Sequence, residues 1–154
     1  MAEADLTTHP IAGYVASGEH VSIPVISQIE GNLWMGGFLP DARLPDDFAY
    51  VVSLYPWGQY ELGPDTVRHE VEMYDSHEVP VELIDHAADL VNGWRALGKT
   101  LVHCQAGLNR SGVVTAWALI KSGMGAQEAI DLLRAKRDPL VLCNPRFEAF
   151  LLAK

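Results

Sequence analysis

The sequence predicts an α/β fold: a single compact domain in which a central mixed sheet of four to five strands is flanked by about five to six helices. Three observations predict it. Apolar runs of strand length, such as Tyr50-Val-Val-Ser-Leu-Tyr55, alternate with longer stretches in which apolar residues recur every three or four positions. One run, Lys99 to His103, passes through a tight loop into Val113-Val-Thr-Ala-Trp-Ala-Leu-Ile120, which is apolar on all sides and reads as a buried helix. Finally, 49% of the 154 residues are hydrophobic and no low-complexity tract divides them, which suits one domain with a sizeable core.

Residues 1–20 mix Thr, His, Gly and Ser without a sustained period and read as an N-terminal arm ahead of a domain at 21–154. Val21, Ile23 and Val25 then alternate, and Ile29 and Leu33-Trp34-Met35 flank the turn signal Glu30-Gly31-Asn32, so a hairpin of short strands is expected. Pro40 to Asp47 is turn chemistry, with room for one helical turn opened by Pro45 and carrying Phe48. Tyr50 to Tyr55 has the pattern of a strand inside a sheet, ended by Pro56 and Gly58. Trp57 and Tyr60 follow in a loop, where an aromatic side chain lies over a substrate ring or caps the core, capping being the preferred reading. Val67 to Met73 alternates as a more exposed strand does.

After the loop Tyr74 to Val79, Pro80 suits the first turn of an amphipathic helix with the stripe Val81, Ile84, Ala87, Ala88, Val91, Trp94 and Leu97, closed by Gly98. Lys99 to His103 is the next strand. The buried helix from Val113 ends at Gly123, and another runs from Ala126 to Lys136 with Ala129, Ile130, Leu132 and Leu133 on one face. Asp138-Pro139 breaks the chain before a last helix from about Pro145 to Leu152, N-capped by Asn144. Cys143 reads as a core or structural residue, with a protective disulfide to Cys104 under oxidation as the alternative.

A net charge of −9 and a pI near 5.0 argue against a nucleic-acid scaffold or a membrane-surface binder. Met1 to Asp5 lacks the basic start and apolar run of a signal peptide, and no apolar segment is long enough to span a bilayer. Two cysteines are too few for a disulfide framework. A soluble protein in the reducing cytoplasm is expected. His9, His20, His69, His77 and His86 show no ligand spacing, so neither a metal nor another cofactor is expected.

The chemistry concentrates in His103-Cys104-Gln105-Ala106-Gly107-Leu108-Asn109-Arg110-Ser111-Gly112, between strand and helix. A loop entering a helix aims unpaired backbone N–H groups at one point, where the helix dipole adds positive potential. Gly107 lets the backbone curl into a concave nest of amides, and Arg110 adds a planar fork for two oxygens of an oxyanion. In such a field a thiol with reference pKa about 8.5 can fall to roughly 3.5–7.5. Cys104 is therefore a candidate nucleophile, with Gln105, Ala106, Gly107, Leu108, Asn109 and Arg110 as candidate phosphate binders.

His103-Cys104, five intervening residues and Arg110-Ser111 resemble the HC-x5-R-[S/T] signature of the cysteine-dependent protein tyrosine phosphatase superfamily, and the short chain resembles its dual-specificity branch. Ile29-Glu-Gly-Asn-Leu-Trp-Met-Gly36 also resembles the opening I-x-x-x-L-[Y/W]-[I/M/L]-G of that branch. The resemblance implies a dual-specificity phosphatase-like fold, with 21–154 as its catalytic domain, and attack by a Cys104 thiolate to give phosphocysteine.

The leaving oxygen needs a proton, and a loop carboxylic acid can supply it. Asp65, Glu70, Glu72, Asp75 and Glu78 are candidates. Asp75 is preferred because it sits in a loop after a strand and because family members place Asp followed by Ser or Thr there, as Asp75-Ser76 does; Glu78 is second. Ser111 would hydrogen-bond the sulfur and ease its departure, or serve only as a helix cap. His103, pointing away from the loop by strand alternation, reads as a buried residue orienting the loop, and Asn109 as a brace. The resemblance implies a phosphorylated protein substrate, phosphotyrosine together with phosphoserine or phosphothreonine. Ala106 and Asn109-Arg110-Ser111-Gly112 also resemble tyrosine phosphatases and RNA 5′-triphosphatases of the superfamily, whereas the neutral loop lacks the lysines of phosphoinositide phosphatases. A phosphate-binding module without turnover and a sulfurtransferase are the alternatives from other classes.

Overall fold

In the computed structural model, which describes residues 5–14, 18, 20–58 and 60–154, the chain opens with β1 (Pro10–Tyr14) and β2 (His20–Pro24), an antiparallel pair forming a sheet of its own. The lead-in expected to be irregular thus holds a strand. Pro10 and Gly13 break up the alternation that would have announced it, and pairing with β2 rather than local propensity makes it. Leu6, just upstream, is buried.

The expected hairpin follows as β3 (Ile26–Glu30) and β4 (Leu33–Gly36), turning at Gly31 with φ +53°. Next come β5 (Tyr50–Ser53), β6 (Val67–Glu70), α1 (Val81–Arg95), β7 (Thr100–His103), α2 (Arg110–Lys121), α3 (Ala126–Lys136) and α4 (Pro145–Leu152). The five-stranded sheet has the order β3-β4-β7-β5-β6, with β3 antiparallel and the rest parallel. Four helices are described, slightly fewer than expected. The segment at Pro45 makes only a single turn, closed by the Phe48 N–H on the Pro45 carbonyl at 3.3 Å.

Strand alternation divides the core into two clusters. Met35, Val52, Val102 and Cys104 face the helices, packing with Ile84, Val91, Val113, Leu119 and Leu133. Val51 and Leu101 face the other way, with Val25, Ile26, Leu44, Phe48 and Leu6. Helices therefore gather on one face, and the other is covered by the N-terminal segment and the β4–β5 connection. Helix α2 is buried from Ser111 to Ala116 and again at Ala118 and Leu119, as its uniformly apolar sequence predicts. On α1 the buried stripe is Ile84, Ala87, Ala88 and Val91, while Val81 and Leu97 are exposed because they lie at or beyond the helix ends, past the edge of the core. Asn144 caps α4, its side chain accepting the Arg146 N–H. Among the described residues no helix is long and apolar enough to cross a membrane.

Candidate active site

The parallel register of β7 between β4 and β5 delivers Cys104 to the strand end, 2% exposed. Its N–H bonds the Gly36 carbonyl at 3.2 Å, and its sulfur lies 3.3 Å from the Ser111 hydroxyl, itself fully buried at the start of α2. Between them the chain turns through Gly107 at φ +75°, a left-handed conformation that resists a Cβ.

The loop's six carbonyls from Cys104 to Asn109 all have donors: His103 Nδ1 on Cys104 (3.1 Å), the Phe38 N–H on Gln105 (2.8 Å), Arg137 on Ala106 (3.2 Å) and Gly107 (2.7 Å), the Leu142 N–H on Leu108 (3.0 Å) and the Val113 N–H on Asn109 (2.8 Å). In a trans peptide unit the C=O of one residue points opposite to the N–H of the next. Tying the carbonyls to surrounding structure therefore directs the amides toward the loop's concave side, beside the first turn of α2, where an anion can be held.

Arg110, the first residue of α2, donates from one terminal nitrogen to the Met73 carbonyl at 3.1 Å and stands 5.5 Å from the centre of the Tyr55 ring. The loop after β6 is tied to the same place. Asp75 accepts from Asn109 Nδ2 at 2.9 Å and from Asn144 Nδ2 at 2.6 Å, while the Asn144 N–H donates to Asn109 Oδ1 at 2.8 Å. These bonds close a ring of three residues, through the Asn144 backbone N–H, joining the candidate acid loop, the phosphate-loop candidate and the cap of α4. Glu78, the second candidate acid, is exposed and accepts from the Ser76 hydroxyl through its backbone carbonyl.

His103 points away from Cys104, to the opposite face of the sheet, and is 1% exposed. Since the Cys104 carbonyl can only accept, Nδ1 carries the proton; Nε2 then accepts from the Tyr60 hydroxyl at 2.5 Å. Burial pushes the His103 pKa down to about 4, with Arg68 and Arg110 acting in the same direction and the bond to Cys104 against it. The imidazole is neutral at physiological pH, fixed as one tautomer.

Several contributors escaped the sequence reading. Tyr60 was expected mainly to cap the core, not to bond His103. Asn144 was legible as a cap but not as a partner of Asp75. Arg137 was not singled out; its place at the end of α3 next to Asp138-Pro139 resembles any solvent-facing cation there. Gly37 packs so closely that a Cβ would meet the Gln105 carbonyl oxygen at 2.8 Å and Ala106 at 2.9 Å, and the Gly36-Gly37 pair ending a strand was the available signal. Cys143 is exposed rather than in the core, its sulfur 3.5 Å from Asn109 Nδ2, because Leu142 at φ +64° turns the chain outward ahead of it. Trp57 is 48% exposed, more a surface ring than a core cap.

A mixed, mostly parallel sheet whose central strand runs into a cysteine, wrapped by an arginine-bearing loop at a helix N-terminus, defines the class of cysteine-dependent phosphatases. The family model for the dual specificity phosphatase catalytic domain matches residues 53–154, and the chain belongs to that family. The rat dual specificity protein phosphatase 15 is 30% identical over 132 residues, covering 79% of this chain and 54% of the relative. A protein of Arabidopsis thaliana named phosphatidylinositol 3,4,5-trisphosphate 3-phosphatase and protein-tyrosine-phosphatase PTEN1 is 30% identical over 111 residues, covering 68% of this chain and 26% of its own. The chain thus spans about half the length of the rat relative and about a quarter of the plant one. In structure, a mouse putative dual specificity phosphatase complexed with zinc tungstate superposes with a TM-score of 0.73 at 19% identity, over 84% of this chain and 86% of the other.

Proposed function

We propose that the chain hydrolyses phosphate monoesters on proteins, phosphotyrosine together with phosphoserine and phosphothreonine, through a phosphocysteine on Cys104. The observation that carries this reading is the meeting of three parts at one point: the Cys104 sulfur beside Ser111, a loop with its carbonyls turned outward, and Asp75 docked on that loop. In the first step the thiolate attacks phosphorus, the P–O ester bond breaks with its electron pair on the leaving oxygen, and the Asp75 carboxyl gives that oxygen its proton. The loop amides and the Arg110 fork hold the phosphoryl oxygens. In the second step water attacks the phosphocysteine and passes a proton to Asp75; the S–P bond breaks, the electron pair returns to sulfur, and Ser111 stabilises it.

The plant relative's name raises a phosphoinositide reading, against which Gln105, Ala106, Leu108 and Asn109 carry no charge to meet further phosphates. We place the activity in residues 21–154 and in the cytoplasm, where Cys104 stays reduced. The test is hydrolysis of p-nitrophenyl phosphate and a phosphotyrosine peptide by wild type and Cys104→Ser. Equal rates for the two proteins would sink the proposal. A panel adding phosphoserine peptide, phosphoinositide and 5′-triphosphorylated RNA tests the substrate class: fastest turnover of either last member overturns the protein-phosphatase reading.

A further inference from the structure

Arg137 is a cation buried behind the loop. Only 7% exposed, it donates from Nε to the Gly107 carbonyl at 2.7 Å, from Nη2 to Ala106 at 3.2 Å and Val25 at 3.4 Å, and from Nη1 to the Ser27 hydroxyl at 3.0 Å. Among the described residues no carboxylate forms an ion pair with it. A guanidinium held out of water against neutral oxygens is expensive to keep. Burial pushes its pKa down to about 10, while the Cys104 sulfur and Asp138 pull it up, so the charge persists at neutral pH. Gly107 packs directly on this group: a Cβ there would run into Arg137 Nη2 and the backbone of Gly36.

We propose that Arg137 is a positioning residue of the anion site: it fixes the Ala106 and Gly107 carbonyls outward, aiming the Gly107 and Leu108 amides at the oxyanion, and places a second positive charge behind the loop. This rests on the reading of the loop as a phosphate site. Two neighbouring peptide planes are set by one rigid fork, whose own position is fixed by Ser27 at the start of β3 and by Val25. Residues preceding the stretch matched by the family model therefore help to shape the loop. The charge, which no carboxylate among the described residues meets in an ion pair, is met, in a working cycle, by the thiolate and then by the phosphoryl group.

The test uses inorganic tungstate as the oxyanion, titrated calorimetrically, together with the rate at which iodoacetamide alkylates Cys104 near pH 6. For Arg137→Met the expected result is a loss of at least about tenfold in tungstate affinity and a several-fold slower alkylation. Arg137→Lys restores the alkylation rate, which follows charge, but not the affinity, which needs the fork. A role confined to stability would lower the melting temperature and leave both readouts alone, and a folded Arg137→Met with unchanged affinity and alkylation overturns the proposal. If that variant does not fold, the wild type decides: tungstate must shift the Gly107 and Leu108 amide proton resonances, and unmoved resonances at saturation overturn it. Tungstate binding without hydrolysis of any phosphate ester would count against the phosphatase reading alone.

Discussion

Asn144 donates to Asp75 across 69 residues of sequence, at 2.6 Å, while its own side-chain oxygen caps α4. One residue thus anchors a helix and holds the candidate acid against the loop that carries the candidate nucleophile. Asp75→Asn is expected to lower kcat on a phosphotyrosine peptide by roughly 10²–10⁴-fold, and much less on p-nitrophenyl phosphate, whose leaving group needs no proton. Unchanged turnover of the peptide would move the role to Glu78.

Asn144→Asp separates the two duties of that residue. The new carboxylate still caps the helix, so the melting temperature holds, but it repels Asp75 and releases the loop, with a fall in kcat of about tenfold or more. Asn144→Ala loses both, with about 1 kcal/mol of stability from the missing cap. Wild-type kcat in Asn144→Asp would show that the ring of residues does not position the acid.

The Tyr60–His103 pair sets a pH dependence of stability. In the folded chain His103 titrates near 4, against about 6.5 when unfolded, so between those values the unfolded chain binds the extra proton. Stability contributed by the neutral imidazole is present above about pH 6.5 and is lost as pH falls toward 4, by about 3 kcal/mol in all. Burial raises Tyr60 to about 12, so its contribution lies below about pH 10 and is lost as pH rises toward 12. Thermal unfolding at several pH values checks this: His103→Gln is expected to flatten the acid limb, and an unchanged slope would contradict it. Tyr60→Phe leaves Nε2 without its donor and is expected to cost about 1–3 kcal/mol near neutral pH.

How far the molecule was legible depended on how local each feature is. The candidate catalytic loop packs its cysteine, glycine, arginine and serine into ten consecutive residues, and the hairpin at Gly31 and the cap at Asn144 are written within a few positions of where they act. Partners brought together by the sheet left no such trace. Arg137 reaches Ser27 over 110 residues, and Tyr60 reaches His103 over 43, distances at which periodicity carries no information. Strand β1 is held by its partner rather than by its own pattern. The acid loop was placed by its neighbourhood, since nothing in Asp75-Ser76 itself announces that two asparagine amides meet it.

Gly37 offers a mechanical test of the loop's shape. An added Cβ would press on Ile11 and on the backbone of Gln105 and Ala106, and close-packed interiors give little. Gly37→Ala is expected to cost about 1–3 kcal/mol and to lower kcat/KM on an aryl phosphate by more than tenfold, since small displacements of a reacting group are costly. Unfolding and kinetics measured on the same preparation check it; full activity would mean that the loop tolerates the push.

Tyr55, beside Arg110, packs edge-on against Trp57 with ring centres 5.3 Å apart, and Trp57 lies 5.4 Å from Tyr74, which adjoins both Asp75 and the Met73 carbonyl that Arg110 holds. The two outer rings are 48% and 61% exposed, among the few large apolar side chains left facing solvent. Rings tethered on both sides to Arg110, the candidate phosphate-binding arginine, form a wall against which the ring of a phosphotyrosine can lie, whereas a phosphoserine presents no such surface. Trp57→Ala and Tyr74→Ala are each expected to weaken kcat/KM on a phosphotyrosine peptide by about 0.5–1.5 kcal/mol, roughly 2- to 12-fold, with a smaller loss on the matched phosphoserine peptide. Trp57→Phe should recover most of the loss, because a ring rather than an indole is what the contact requires. Equal losses on both peptides would mean that the rings support the Asp75 loop instead of reading the substrate.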